Sequence, residues 1–534
     1  MSSALSVYFH LIKTNLIKQM RSYSFLLVIG ISVFAGYACV PDASAGYEIF
    51  YIGGVRGIYN SAWLGGMAAM LTTMLLWLFG FFMLRSQISE DERLKVGPLI
   101  AAAPVRNLRY IVSKAAANFV VLLVIEAVLL LAFMAMQLLR GEDVQLQVGD
   151  YLAPLLYITV PSLFLLASLT VLFDVFPGFK GLLGNLLFFC LWIFASVLSI
   201  AAPNHWWDMF GISSILKGMA QGAAEHYPAL SSLENSGSFG YYPVEGQIPT
   251  FDWQGVVWDQ QLIFIRLVWI AAGSAIIVAS SLLFRRFNSS GAAVSLHKLV
   301  ISAQEQPLAG SSLPATGLNG PLKLSPAVKA KGLRWPGLLR SELKIMLKGL
   351  SLWWFLAAAA LIAGCLFIPA EYLPSLLPFV MIWPIGVWSQ MGMRDKHYFT
   401  RGLIASSCSP FAKWWTEWLA GVLIALLISS GAIIRFMLEA QGQAVWAWGA
   451  GILFVPTLAL TLGTLSGSKK LFEVVYMLWW YLGPLNHIPE LDFLGISEAS
   501  PELYLGMTGL LIVISVIAQF FRTGNLSIRR GSSL

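Results

Sequence analysis

The stretch RSQISEDERLKVGPLIAAAPVRNLRYIVSK, Arg85–Lys114, is a charged and interrupted island between two long apolar runs. Glu90, Asp91, Glu92, Arg93 and Lys95 come first, followed by Pro98, Pro104, Arg106 and Arg109. A weaker copy lies downstream, MGMRDKHYFTRGLIASSCSPFAKWWTEW, Met391–Trp418. Asp91 matches Asp395, and Leu99-Ile100-Ala101 matches Leu403-Ile404-Ala405 at the same offset. A proline follows in each, Pro104 and Pro410. Both islands come directly after the second apolar run of their half of the chain.

Working outward, the composition fits a membrane protein. Of 534 residues, 57% are hydrophobic and 11% charged, which excludes both an ordinary soluble domain and a disordered chain. The formal net charge of +7 does not point to nucleic acid, because the basic residues gather on one side of the apolar runs. Cys39, Cys190, Cys365 and Cys408 have no paired spacing and read as small core residues.

A crossing helix needs about 20 apolar residues. Six such runs fall in the first half, at 24–40, 61–84, 115–139, 152–176, 182–202 and 261–284. Six more fall at 353–369, 376–392, 418–438, 446–466, 471–486 and 505–521, the eleventh interrupted by Gly483-Pro484. Between them a stretch rich in Ser, Gly and Pro reads as a flexible linker. The expected fold is therefore all-α and polytopic, with about 12 transmembrane helices. The expected domains are residues 1–290, a linker at 291–335, and residues 336–534.

Lys and Arg set the orientation. With the N-terminus cytosolic, both islands, Arg285-Arg286, Lys469-Lys470 and Arg529-Arg530 are cytosolic, and the outer loops are acidic. Both termini are then expected inside a cell membrane crossed many times. No cleavable signal pattern is evident. The first twenty residues read either as an amphipathic interfacial helix, with Val7, Tyr8, Leu11, Ile12 and Leu16 on one face, or as an extension of the first span.

The halves repeat each other in parallel. PNHWWDMFGIS, Pro203–Ser213, and PLNHIPELDFLGIS, Pro484–Ser497, follow the fifth run of each half. Asn204-His205 matches Asn486-His487, and Asp208-x-x-Gly211 matches Asp492-x-x-Gly495. A basic, partly apolar segment precedes each half, the second being Leu338–Gly349. Two parallel repeats of six would sit about an axis along the membrane normal.

With Asp91, Glu92, Arg93, Leu99, Ala101, Ala102, Ala103, Pro104, Arg109, Tyr110 and Lys114, the first island resembles the first cytoplasmic loop of ABC exporter permeases of the second type. The resemblance covers the layout of nearly the whole chain, with two such domains fused. It implies coupling helices on which separate ATPase subunits dock, two copies of one kind or two related ones. Candidate docking residues are Glu90, Asp91, Glu92, Arg93, Leu99 and Pro104, with Arg394, Asp395, Lys396, Leu403 and Pro410 in the second island. The second island departs from the pattern, carrying Arg394, Lys396, His397 and Arg401 where the first has its acidic cluster. The resemblance also implies short re-entrant helices closing the path from outside. Candidate outer-gate residues are Asn204, His205, Asp208, Gly211, Asn486, His487, Asp492 and Gly495. For the two histidines, a helix-ending polar cap is the plainer reading.

The chain has no phosphate-cradling G-x-x-x-x-G-K-[ST] and none of the common hydrolase or metalloprotease signatures. No enzymatic activity, cofactor or metal is expected in it; ATP and Mg belong to the partner ATPase. Membrane lipid is an expected partner, with room for further membrane subunits. A charge at mid-membrane costs roughly 3 kcal/mol, so Glu126, in the third run, reads as a residue of the substrate path or as a polar lock. Arg266 and Arg435 read as snorkelling outward. The resemblance implies export, and the sparsely charged runs suit a hydrophobic or amphipathic cargo such as a lipid, peptide or antibiotic. The alternatives are a proton-coupled secondary transporter, for which only Glu126 qualifies as a coupling residue, and a non-transporting sensor or immunity scaffold.

Overall fold

The computed structural model of the chain describes residues 2–21, 23–42, 47–102, 105–179, 181–201, 206–228, 237–243, 248–284, 334–369, 372–400, 402–404, 409–439, 442–486, 488–495 and 501–531. Nearly all of the linker lies outside these residues, as do Pro104, Asn204, His205, Arg401 and His487.

The first half runs α1 Ser2–Met20, α2 Tyr23–Cys39, β1 Tyr47–Ile52, β2 Arg56–Gly57 and α3 Ser61–Leu84. The island follows as two short helices, α4 Gln87–Arg93 and α5 Gly97–Ala102. Then come α6 Asn107–Arg140, α7 Val148–Val175, α8 Leu182–Ala201, α9 Ile212–His226, β3 Gly237–Pro243, β4 Thr250–Phe251 and α10 Gln260–Leu283. The second half runs α11 Arg334–Leu347, α12 Leu352–Phe367, α13 Leu373–Trp388, the one-turn α14 Arg394–His397, α15 Pro410–Ile428, α16 Ser430–Leu438, α17 Gly442–Ser466, α18 Lys469–Trp480 and α19 Pro501–Gly531.

Helices dominate because a chain this apolar must satisfy its backbone polar groups within each segment. Among the described residues, eight helices are long and apolar enough to cross a membrane: α3, α6, α7, α8, α10, α15, α17 and α19. The bent pair α11–α12, which turns through 104°, makes nine if counted as one span. The protein is thus helical and membrane-embedded. All twelve apolar runs lie on helix, but α2, α12, α13 and α18 fall short of full crossing length. The causes are visible in the last two. Pro384 interrupts α13, since proline supplies no N–H. Gly483-Pro484 ends α18 in a π-helical turn, Tyr481–Leu485. The run expected at 418–438 begins earlier, at Pro410, and breaks at Ser429 into α15 and α16.

The core is centred on α3, which is buried on nearly every side. Trp63, Trp77, Phe81 and Phe82 are enclosed, and Phe81 stacks on Phe188 of α8 with ring centroids 3.4 Å apart. In the second half α17 is similarly enclosed. The halves meet where α18 packs on α3. At the end remote from the islands, β1 pairs antiparallel with β3, Tyr47 opposite Pro243, and β2 pairs in parallel with β4. Helix α9 packs against both of these strand pairs.

Candidate functional site

The first island is held down by one carboxylate. Asp91, on α4, is 6% exposed. Its Oδ1 accepts from Lys18 Nζ of α1 at 3.0 Å, and its Oδ2 accepts from the Tyr110 hydroxyl at 2.8 Å and pairs with Lys114 Nζ at 2.7 Å, both on α6. Helix α4 starts where Ser86 adopts a left-handed φ of 69°. Its first backbone N–H groups point at Asp174, at the end of α7. Ser86 donates at 2.6 Å, Gln87 at 2.8 Å and Ile88 at 3.4 Å. Asn118 of α6 then accepts from Gln19 of α1 and Gln87 of α4, and donates to Thr170 of α7. The island is thereby tied to the entry helix and to the third and fourth apolar helices.

The second island uses the same scaffold with the charges inverted. Here the central group is a cation, Arg394. Its Nη2 donates to Glu342 of the entry helix α11 and, at 3.1 Å, to Glu417 of α15. Burial works against the Arg394 charge, but Glu417 and Glu342 outweigh it and hold the guanidinium above its ordinary pKa. Glu417 also accepts from the Gly392 N–H at 2.8 Å, and Asp395 pairs with Lys413.

These contacts divide the sequence-derived docking candidates. Asp91, Arg394 and Asp395 face inward and fasten the islands. Glu90 is half-buried, whereas Glu92 and Lys396 are exposed, and Leu99 and Leu403 are 71% and 74% exposed. Pro410 opens α15 behind the N-cap Ser409. Asp174, Glu342 and Glu417 carry no motif that marks them in the sequence. Only the fold shows that each reaches an island.

Between the islands the halves touch through a polar seam. Asn185 Nδ2, early in α8, donates to Glu473 Oε2, early in α18. Seven residues further along each helix stands a tryptophan. Trp192 Nε1 donates to Met74 O of α3 at 3.0 Å, and Trp480 Nε1 donates to Pro378 O of α13 at 2.8 Å. Arg85, at the end of α3, donates to Asn185 and to the Phe179 carbonyl, and Lys470 donates to the Arg85 carbonyl.

The outer-gate candidates form two similar turns. Asp208 is fully buried; it accepts from Ser199 Oγ at 2.5 Å and from Ser214 N and Oγ at 2.8 and 2.7 Å. Asp492 is equally buried and accepts from Leu494 N at 3.0 Å. Gly211 (φ 76°) and Gly495 (φ 71°) follow in left-handed conformation, each against the fourth apolar helix of its half, at Ile158 and Ala447. Asn486 donates to the Tyr481 carbonyl, capping the turn that ends α18. Contrary to the snorkelling expectation, Arg266 is 3% exposed and donates to the Asp208 carbonyl at 2.6 Å. It holds that turn against α10. Arg435 also turns inward, to the Cys365 and Ile368 carbonyls.

Glu126 is buried on α6. Its Oε1 accepts from Thr72 of α3 at 2.9 Å, and its Oε2 has no hydrogen-bond partner. Among the described residues no group of three or more His, Cys, Asp or Glu side chains could hold a metal.

No protein-family model, no curated protein and no solved structure matches this chain.

Proposed function

We propose that the chain is the permease subunit of an ATP-driven transporter of the ABC class, two six-span units fused in parallel, exporting a hydrophobic or amphipathic cargo. The carrying observation is the pair of islands. Each is a short helical segment after the second apolar helix of its half, fastened by ion pairs to an entry helix and to the third apolar helix. A rigidly fastened surface segment can pass a push from a soluble partner to the helices it is tied to. Its exposed Glu92, Leu99, Lys396 and Leu403 are suited to contact that partner. The repeated turns at Asp208–Gly211 and Asp492–Gly495, and the meeting of α8 with α18, support the two-unit reading.

On this reading the islands face the cytosol, both termini are cytosolic, and the chain spans the cell membrane twelve times, its four short helices completing the count. ATP and Mg are bound by partner ATPase subunits. The exposed faces of the islands carry opposite charges, Glu92 on the first and Lys396 on the second, which favours two distinct docking surfaces. The test is purification from the native membrane under mild detergent, with mass spectrometry and ATPase assay of what accompanies the chain. An ATPase subunit should co-purify, and Glu92→Ala with Leu99→Asp should release it without changing the yield of folded chain. A chain that purifies alone defeats the proposal.

One observation favours a second reading, a proton-coupled secondary transporter: the unpartnered, buried Glu126 Oε2. It requires that Glu126→Gln abolish transport. On the ABC reading that variant keeps ATP-dependent transport, since Thr72 can donate equally well to an amide oxygen.

A further inference from the structure

We infer that the seam between the two halves, at the island end, is a binding site for an anionic phospholipid. A cleft of about 620 Å³ opens there. Lys18, Arg21, Arg85, Lys396, Lys469 and Lys470 line it, against the single acid Glu90. Asp91, Asp174 and Glu473 stand behind this wall and offset part of its charge, leaving six cations to four acids among the described residues. Basic residues at one face of a membrane protein usually do no more than set orientation, scattered around the rim. These converge on one cleft between the halves, and the cleft has an apolar extension.

That extension is a slot of about 90 Å³, lined by Val28, Phe79, Phe82, Leu465, Leu471 and Val474. Met83, Ser466, Ser468 and Lys470 line both spaces. The slot is smaller than the roughly 150 Å³ cavity that holds a benzene ring, so it takes only the first part of an acyl chain. A basic chamber continuous with an apolar slot matches an amphiphile with a phosphate head. Basic pockets between membrane helices recognise anionic headgroups in this way. Free phosphate would leave the slot unused. The site does not depend on transport: a chain that recruits no ATPase still binds the lipid.

The test uses the purified full chain in detergent, with phosphatidylglycerol, phosphatidylcholine and inorganic phosphate as separate probes, read by native mass spectrometry and thermal stabilisation. One phosphatidylglycerol should be retained under conditions that strip phosphatidylcholine. Arg21→Glu with Lys469→Glu should weaken its binding by about thirtyfold or more, while Arg340→Glu with Lys344→Glu, on α11, leaves it unchanged. Leu465→Trp, which fills the slot and keeps every charge, should also weaken it, so a fold defect in the charge variant does not remove the test. Equal retention of the two lipids, or equal loss in the α11 variant, overturns the proposal. So does stabilisation by inorganic phosphate as strong as that by phosphatidylglycerol, which would make this a free-anion site.

Discussion

Asn185, in the first turn of α8, donates a hydrogen bond to Glu473, early in α18, across the seam between the halves. If α8 and α18 are the equivalent helices of two fused units, as proposed, a contact between their early turns lies where an axis relating the units would run. The tryptophans one stretch further on, Trp192 and Trp480, make the same kind of bond to the second apolar helix of their own half. On the proposed two-unit reading, the axis between the units would pass between α8 and α18.

This relationship can be tested by crosslinking. With a protease site placed in the linker, Asn185→Cys with Glu473→Cys should be joined by a short bis-maleimide, so that the two halves migrate as one band after cleavage. Asn185→Cys with Val197→Cys, both on α8, should not join them. Two separate bands from the first pair would rule out the seam.

The Asp91 clamp should show unequal costs. Asp91→Ala strands the buried Lys114 and should cost about 3–5 kcal/mol. Lys18→Ala removes a partner that is 41% exposed and should cost no more than about 1 kcal/mol. Denaturation of the two variants in the same detergent checks this. Similar losses would mean that the island is not held by the buried pair.

The left-handed glycines give a sharper contrast. At Gly211 an added Cβ would lie 2.5 Å from Ile158 Cγ2, whereas at Gly149, within α7, it meets nothing within 4 Å. Gly211→Ala and Gly495→Ala should each destabilise by more than about 1 kcal/mol. Gly149→Ala should stabilise by about 0.5–1 kcal/mol. Shifts in melting temperature of opposite sign are the expected readout.

At the end remote from the islands, Arg56 grips Glu142 with two parallel bonds of 2.7 and 2.8 Å and donates to Glu48 at 2.7 Å. The Arg56 hydrogen bond, then its charge, holds the Glu142 carboxyl below the usual range against the opposing effect of burial. A depressed carboxylate contributes stability that is present above its unfolded value, about 4.3, and is lost as pH falls through the folded value. Melting temperature should therefore drop between pH 5 and pH 3 more steeply in the parent than in Glu142→Gln. At pH 7 the variant should be weaker by about 1.5–3 kcal/mol, the range for bonds to charged groups. Parallel pH profiles would contradict the assignment.

The apolar helices were legible because burial in lipid demands long uninterrupted runs, and both islands stood out as breaks in that pattern. Lengths were less legible. Nothing local distinguishes the 34-residue α6 from the run of 115–139 within it, because a helix continues past the apolar zone wherever polar partners receive it, as Asp91 receives Tyr110 and Lys114. The pairing of β1 with β3 could not be read, since Tyr47 and Pro243 are brought together only by the packing of the helices between them. The clamps were half legible. The sequence marks Asp91 as a docking candidate, whereas its burial between Lys18 and Lys114 makes it a fastener of the island. Glu342 and Glu417 carried no sequence signal, because a counter-ion is defined by what faces it.

The inverted clamps have a consequence for how the chain is made. Lys18 fits beside Asp91 but would repel Arg394, and Glu342 fits beside Arg394 but would repel Asp91. Two entry helices and two islands allow four pairings within one chain, and charge favours the two in which each entry helix meets the island of its own half. The opposite signs therefore act as address labels. They favour each entry helix meeting its own island during insertion, a discrimination that apolar surfaces alone would not supply.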